Sequence, residues 1–176
     1  MYYDQYFAGE ITYDEWASFD ADLWAGKPLS EVMRIVKETE LVPGAEDTVR
    51  TLKEHGIKVA ILSGGLDLLA DDIAERLGID YVLTNRLEHR NGVLTGKVEV
   101  LVGWGEKVNE LEQIVEHFSV TFEETAFIGD GRNDIGALSV SGLSFAFNPE
   151  DEEVAKAAQI VIKKMDLREI LNHIPL

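Results

Sequence analysis

The rhythm of apolar positions along this chain changes once, near Pro43. Before that point apolar residues recur at helical spacing and no run reads as a strand. Met1–Gly9 reads as a helix stopped by Gly9. In the stretch 12–25, Trp16, Phe19, Leu23 and Trp24 fall on one predicted apolar helix stripe. Thr12 followed by Glu15 is a capping-box signature for its start. Pro28 opens a further helix over Leu29–Glu38, with Val32, Ile35 and Val36 on one face. After Pro43, short β-rich runs alternate with amphipathic segments. Helices are predicted over Gly44–His55, Leu66–Leu77, Lys107–Phe118, Ile135–Val140, Glu152–Ala158 and Leu167–Ile174. Strands are predicted over Lys58–Leu62, Tyr81–Thr84, Thr125–Gly129, Leu143–Phe147 and Ile160–Ile162. Asn91-Gly92, inside Arg86–Gly96, is the strongest local hairpin signal in the chain. Such alternation predicts an α/β fold, with a parallel sheet covered by helices on both faces. Residues 1–42 form a small helical layer in this reading and residues 43–176 the α/β core.

Three places on this framework carry candidate chemistry. TAFIGDGRND, residues 125–134, reads as a buried parallel strand that ends in a carboxylate, turns through glycine and enters a helix. Strand C-terminal ends are where ligands bind in open α/β sheets. Asp130 and Asp134 there offer hard oxygens suited to Mg²⁺; the plainer alternative is a polar turn with Asn133 or Asp134 as helix N-cap. Ser63-Gly64-Gly65 follows the strand Lys58–Leu62. A hydroxyl and free N–H groups before a helix make an anion site, or simply a capping serine. Lys107 opens a helix after the irregular GWGE. The helix dipole disfavours a cation there, so Lys107 either balances a bound phosphate or pairs outward with Glu110 or Glu112.

Composition narrows the partners. The 176 residues carry a formal net charge of −17, which repels nucleic acid and anionic membranes. A phosphate site on such a surface has to be local. There is no cysteine, so thiolate metal sites and disulfides are excluded. No apolar run is long enough for a membrane span and no signal peptide opens the chain, so a cytoplasmic protein is expected.

In combination these positions resemble the haloacid-dehalogenase-like phosphohydrolases, in their phosphoserine-phosphatase-like branch. The likeness rests on VAILSGG at 59–65, NRLEHRNGVLTG at 85–96, Lys107, IGDGRND at 128–134, FAFNPEDEEVAKAA at 145–158 and DLREIL at 166–171. The resemblance implies a Rossmann-like parallel sheet with a helical cap, here residues 1–42. It implies Mg²⁺-dependent hydrolysis of a small phosphorylated metabolite through an aspartyl-phosphate. By the same resemblance Ser63 and Gly64 hold phosphate oxygens, and Lys107 balances charge. Asp130 ligates the metal, Asp134 orients metal-bound water or Lys107, and Asn133 contacts phosphate or substrate.

Two departures qualify this. The family's nucleophile lies in DxDx[TV] at the end of a first, central strand, and no such stretch is present. The only DxD, Asp20-Ala21-Asp22, sits in a helical segment, where residues two apart point to different sides. The expectation is a fold lacking that strand and a form that is inactive alone. The alternatives are a non-catalytic phosphate- or metal-binding pseudo-enzyme and a structural domain completing its sheet with a partner chain. Second, the family's phosphoserine phosphatases bind the substrate carboxylate with a cap arginine. Asp20 falls about there, and Arg34 is the only arginine in residues 1–40.

Overall fold

The computed structural model describes residues 2–105 and 107–176; Met1 and Glu106, touching the first predicted helix and the GWGE stretch, lie outside the described residues. In chain order the helices and strands are α1 (Tyr2–Phe7), α2 (Tyr13–Asp22), α3 (Leu29–Lys37), α4 (Ala45–Glu54), β1 (Ala60–Leu66), α5 (Asp67–Leu77), β2 (Tyr81–Arg90), β3 (Val93–Glu99), α6 (Val108–Phe118), β4 (Ala126–Gly129), α7 (Ile135–Val140), β5 (Leu143–Phe147), α8 (Glu152–Ala157) and β6 (Ile160–Ile162). The strands form two three-stranded sheets, in the orders β1-β2-β3 and β4-β5-β6. The chain folds as two compact units. One comprises Met1–Thr39, Ile61–Arg76 and Val82–Trp104; the other comprises Glu40–Ala60, Leu77–Tyr81 and Gly105–Leu176.

In the first unit β2 and β3 form the antiparallel hairpin that Asn91-Gly92 predicts. Both turn residues have positive φ, 51° and 76°, as a primed two-residue turn requires. The register shifts between Leu87 and His89, so the ladder bulges there. Helix α2 begins at the predicted capping box. Glu15 N–H donates to Thr12 Oγ1 at 3.2 Å, and Thr12 N–H donates to Glu15 Oε2 at 2.8 Å. Those two bonds satisfy donors that a helix start otherwise leaves orphaned. The predicted stripe on α2 splits. Trp16 and Trp24 are half-buried, while Phe19 stands against the Tyr2 ring and Leu23 is 68% exposed. Ala21 is the buried contact instead, in a core with Val32, Leu87 and Leu94. A small residue lets the helix backbone approach the sheet closely. On α3, Val32 packs inward and Ile35 is 59% exposed, so the predicted face is narrower than its spacing implied.

In the second unit β4, β5 and β6 are all parallel, with Ala126 opposite Leu143 and Phe145 opposite Ile160. Their core is Phe145, Ile162 and Ile170, closed by Leu143, Phe147, Leu167 and Ile174. Strand β4 lies at the edge of its sheet and alternates: Phe127 and Gly129 are buried, Ala126 and Ile128 exposed. It is thus covered on one face rather than both. The last predicted helix winds as a 3₁₀ segment, Leu167–Asn172. Asp166 caps it by accepting from Arg168 N–H, and Pro175 follows shortly, a span too short for a stable α-helix. The Arg168 side chain also donates to Asp166, holding that carboxyl down at about 2. Gly44 (φ 81°) opens α4 in the left-handed region, where a side chain would strike Asp166 and Arg168. No helix among the described residues is long and apolar enough to cross a membrane.

Candidate active site

Strand β4 ends at Gly129 and delivers the chain into a tight turn, Asp130–Asp134. Gly129 is required there. A Cβ would fall 2.6 Å from Asp134 Cβ and 2.7 Å from Asp134 Oδ2. Its absence lets the Asp134 carboxylate fold back over the strand end. Oδ2 accepts from the N–H groups of Asp130 and Gly131, both at 3.0 Å. Oδ1 accepts from Lys107 Nζ at 2.7 Å. Asp134 occupies the N-cap position of α7 but makes no side-chain cap bond. Its carboxylate is consumed by the turn and the lysine, so the capping alternative does not hold for this residue.

Lys107 is not an exposed lysine pairing with Glu110 or Glu112. It is 7% exposed, sits at the N-cap of α6, and forms its ion pair with Asp134. Its backbone is left-handed, with φ 53°, a conformation that costs a non-glycine residue about 1–2 kcal/mol. The surroundings hold it there, as at many functional positions. Burying an ammonium and a carboxylate is tolerable because each supplies the other's counter-charge and the carboxylate is fully hydrogen-bonded.

Asp130 has a different setting. It is open to solvent, and no ion pair to its carboxylate is formed among the described residues. Partial burial nevertheless pushes its carboxyl up from the ordinary range; the Asp134 charge adds to this and Lys107 opposes it. An anionic oxygen held at a strand tip without a matched cation suits a hard divalent ion, and Mg²⁺ fits this donor. Both Asp134 oxygens already accept hydrogen bonds, so the open carboxylate of Asp130 is the one that would hold it. No cluster of three or more metal-ligating side chains occurs among the described residues. Asn133 is half-buried in the same turn, its Oδ1 beside Gly131.

The turn is braced from outside by residues the sequence reading did not single out. Asp130 C=O accepts from Glu150 N–H at 2.9 Å, and Arg132 N–H donates to Glu150 Oε1 at 2.9 Å. The Arg132 guanidinium donates to Asp151 at 2.7 Å, and Asp151 in turn caps α8. Only the spacing of acidic residues in NPEDEE hinted at this.

Lys107, Asp130, Asn133 and Asp134 thus come together in the second unit, whereas Ser63 and Gly64 belong to the first. Ser63 lies inside β1 rather than after it, because the strand continues to Leu66. Thr84 Oγ1 donates to Gly65 O at 2.7 Å and Asn85 Nδ2 to Gly64 O at 3.0 Å, which keeps SGG extended beside β2. Ser63 Oγ accepts from Gly65 N–H at 3.0 Å.

Known proteins resemble this chain in sequence and in fold. A family described as haloacid dehalogenase-like hydrolase matches residues 2–139. The phosphoserine phosphatase of Methanocaldococcus jannaschii is 36% identical over 172 residues, 94% of this chain and 79% of that one. The phosphoserine phosphatase of Archaeoglobus fulgidus is 37% identical over 144 residues, and there the chain spans only 42% of the relative's length. A solved phosphoserine phosphatase, described as a phospho-aspartyl intermediate analogue, superposes with a TM-score of 0.81 at 35% identity, covering 98% of this chain and 82% of that one. The fold is therefore the α/β fold of these phosphatases. By its match over residues 2–139 and its likeness to phosphoserine phosphatases along most of its length, the chain belongs to the haloacid dehalogenase-like hydrolases.

Proposed function

We propose that this chain carries the cap and most of the core of a cytoplasmic, Mg²⁺-dependent phosphomonoester hydrolase that works through an aspartyl-phosphate. In this reading residues 1–42 are the cap and 43–176 the core. The buried Lys107–Asp134 pair beside Asp130 carries the reading. A buried lysine held by a carboxylate, which is itself clamped to the backbone, is a fixed positive charge. Fixed charge aimed at a phosphoryl group lowers its barrier without reorganisation. Lys107 neutralises the incoming phosphate, Asp134 orients Lys107, and Asn133 contacts phosphate or substrate. Ser63 Oγ and the Gly64 N–H hold phosphate oxygens. Asp130 would hold Mg²⁺, which when bound neutralises and orients the phosphoryl group.

None of the 176 residues serves as the nucleophile in this reading. Asp20 and Asp22 lie on α2, and Asp134 is consumed by Lys107. Among the described residues no histidine pairs with Ser63: its Oγ accepts from a backbone N–H, and the four histidines lie on α6, on β2 or at helix ends. The nucleophilic aspartate is then supplied from outside these residues. The test is a screen over small phosphomonoesters with Mg²⁺, on this chain and on a form extended upstream. We expect no turnover by the 176-residue chain and clear turnover by the extended one. In the extended form Asp130→Asn and Lys107→Ala each lower kcat about 10²-fold or more. Robust Mg²⁺-dependent turnover by the 176-residue chain would refute the assignment.

A further inference from the structure

All three tryptophans of the chain, Trp16, Trp24 and Trp104, line one cavity of about 260 Å³ within the first unit. Tyr13 stands beside them. The Trp16 and Trp104 rings are 5.6 Å apart at 39°, and Tyr13 meets Trp16 edge-on at 5.7 Å. Among the described residues Asp20 is the one charged side chain in the lining, and no lysine, arginine or histidine takes part. Gly64, neighbour of Ser63, borders the same space.

The far wall is rigid. Asn85 is 2% exposed and spends its whole amide internally. Its Nδ2 donates to Gly64 O and Val102 O, each at 3.0 Å, and its Oδ1 accepts from Leu101 and Val102 N–H, each at 2.8 Å. Tyr13 Oη donates to Gly64 O at 3.5 Å, so the aromatic faces, a few aliphatic side chains and the Asp20 carboxylate are left to meet a ligand.

We infer that this cavity takes an alkylammonium group, and that the substrate is the phosphomonoester of an amino alcohol. Aromatic faces attract a cation through their quadrupoles, and Asp20 supplies the counter-charge. An apolar guest gains nothing from the carboxylate, and a carboxylate-bearing guest would be repelled by it. Burial pushes the Tyr13 phenol up, Asn85 opposes this, and Tyr6, Asp14 and then Asp20 add to the rise. The phosphate end of such a molecule would lie toward Ser63 and Gly64. That half of the assignment rests on the proposed phosphatase reading; the ammonium half does not.

Tryptophan emission therefore reads the site directly. The 176-residue chain is titrated with choline, ethanolamine and 3,3-dimethylbutan-1-ol, the uncharged isostere of choline. Choline should produce a saturable change, and the isostere should bind at least tenfold more weakly. Asp20→Asn, at a solvent-open position, should weaken choline at least tenfold with an unchanged circular-dichroism melt. Equal binding of choline and its isostere, no saturable change with choline, or an unaltered choline titration in Asp20→Asn overturns the inference. In the upstream-extended form, kcat/KM for phosphoethanolamine should exceed that for phosphoserine at least tenfold, and the reverse order overturns the substrate class. Choline binding without turnover of any phosphomonoester by that form would refute the phosphatase reading and leave the ammonium site standing.

Discussion

Replacing Lys107 by methionine keeps an unbranched side chain, one atom shorter, and deletes the charge. The Asp134 carboxylate is then left buried, with side chains at 107 and 134 only 8% and 6% exposed in the parent pair. Removing one partner of a buried pair costs about 3–5 kcal/mol. Two backbone N–H groups still hold Asp134 Oδ2, so the lower end applies, about 3 kcal/mol. For a chain of this size that is a fall in Tm of about 6–12 °C. Adding Asp134→Asn removes the stranded charge while its amide oxygen still accepts from the turn. The double variant should therefore be more stable than Lys107→Met alone, by about 1–2 kcal/mol. Urea unfolding followed by far-UV circular dichroism is the assay. Tryptophan emission is a poor probe here, because every tryptophan belongs to the first compact unit and this pair to the second. The reasoning fails if Lys107→Met unfolds within about 0.5 kcal/mol of the parent, the scale of an ordinary surface change. It also fails if Asp134→Asn destabilises the Lys107→Met chain further.

Further expectations follow from the same geometry. Because Lys107 has φ 53°, Lys107→Gly should be more stable than Lys107→Ala by about 1 kcal/mol in denaturant titrations, the reverse of the order in a helix interior. The fold raises the Asp130 carboxyl, so this residue's stabilising contribution is present at low pH and is lost as pH rises through the carboxylate range. Without divalent metal, Asp130→Asn should accordingly melt higher at neutral pH, by less than about 1 kcal/mol since the group is solvent-open; a lower melt would contradict this. Asp166 is held down at about 2, so its contribution is complete above its unfolded value and fades as pH falls toward 2. Asp166→Asn should thus lower the melt at pH 6, with the difference from the parent closing as pH falls through about 2.

The features read correctly from sequence were those encoded within a few residues: the Thr12–Glu15 box, the Asn91-Gly92 hairpin, and the strand–turn–helix around Asp130. Those read less well depend on partners far along the chain. Ser63 reads as following its strand because nothing local shows that Thr84 and Asn85, about twenty residues on, keep Gly64 and Gly65 extended. Lys107 had Glu110 and Glu112 nearby, yet pairs with Asp134, 27 residues away. Phe19, Leu23 and Ile35 matched helical spacing but face outward, because Ala21 and Val32 make the close contact. Periodicity shows that a helix has an apolar side; packing decides which part of that side is covered.

The edge position of β4 also bears on how the protein behaves at concentration. An edge strand presents a row of backbone donors and acceptors that can template pairing with another copy, and exposed Ile128 adds an apolar side chain to that row. At neutral pH the formal charge of −17 opposes such encounters by keeping copies apart. The sequence pI is about 4.5, so acidification withdraws this protection. Colloidal stability is therefore governed by the solution's pH rather than by the sheet, and dilute, mildly alkaline buffer is the regime in which the exposed edge stays harmless.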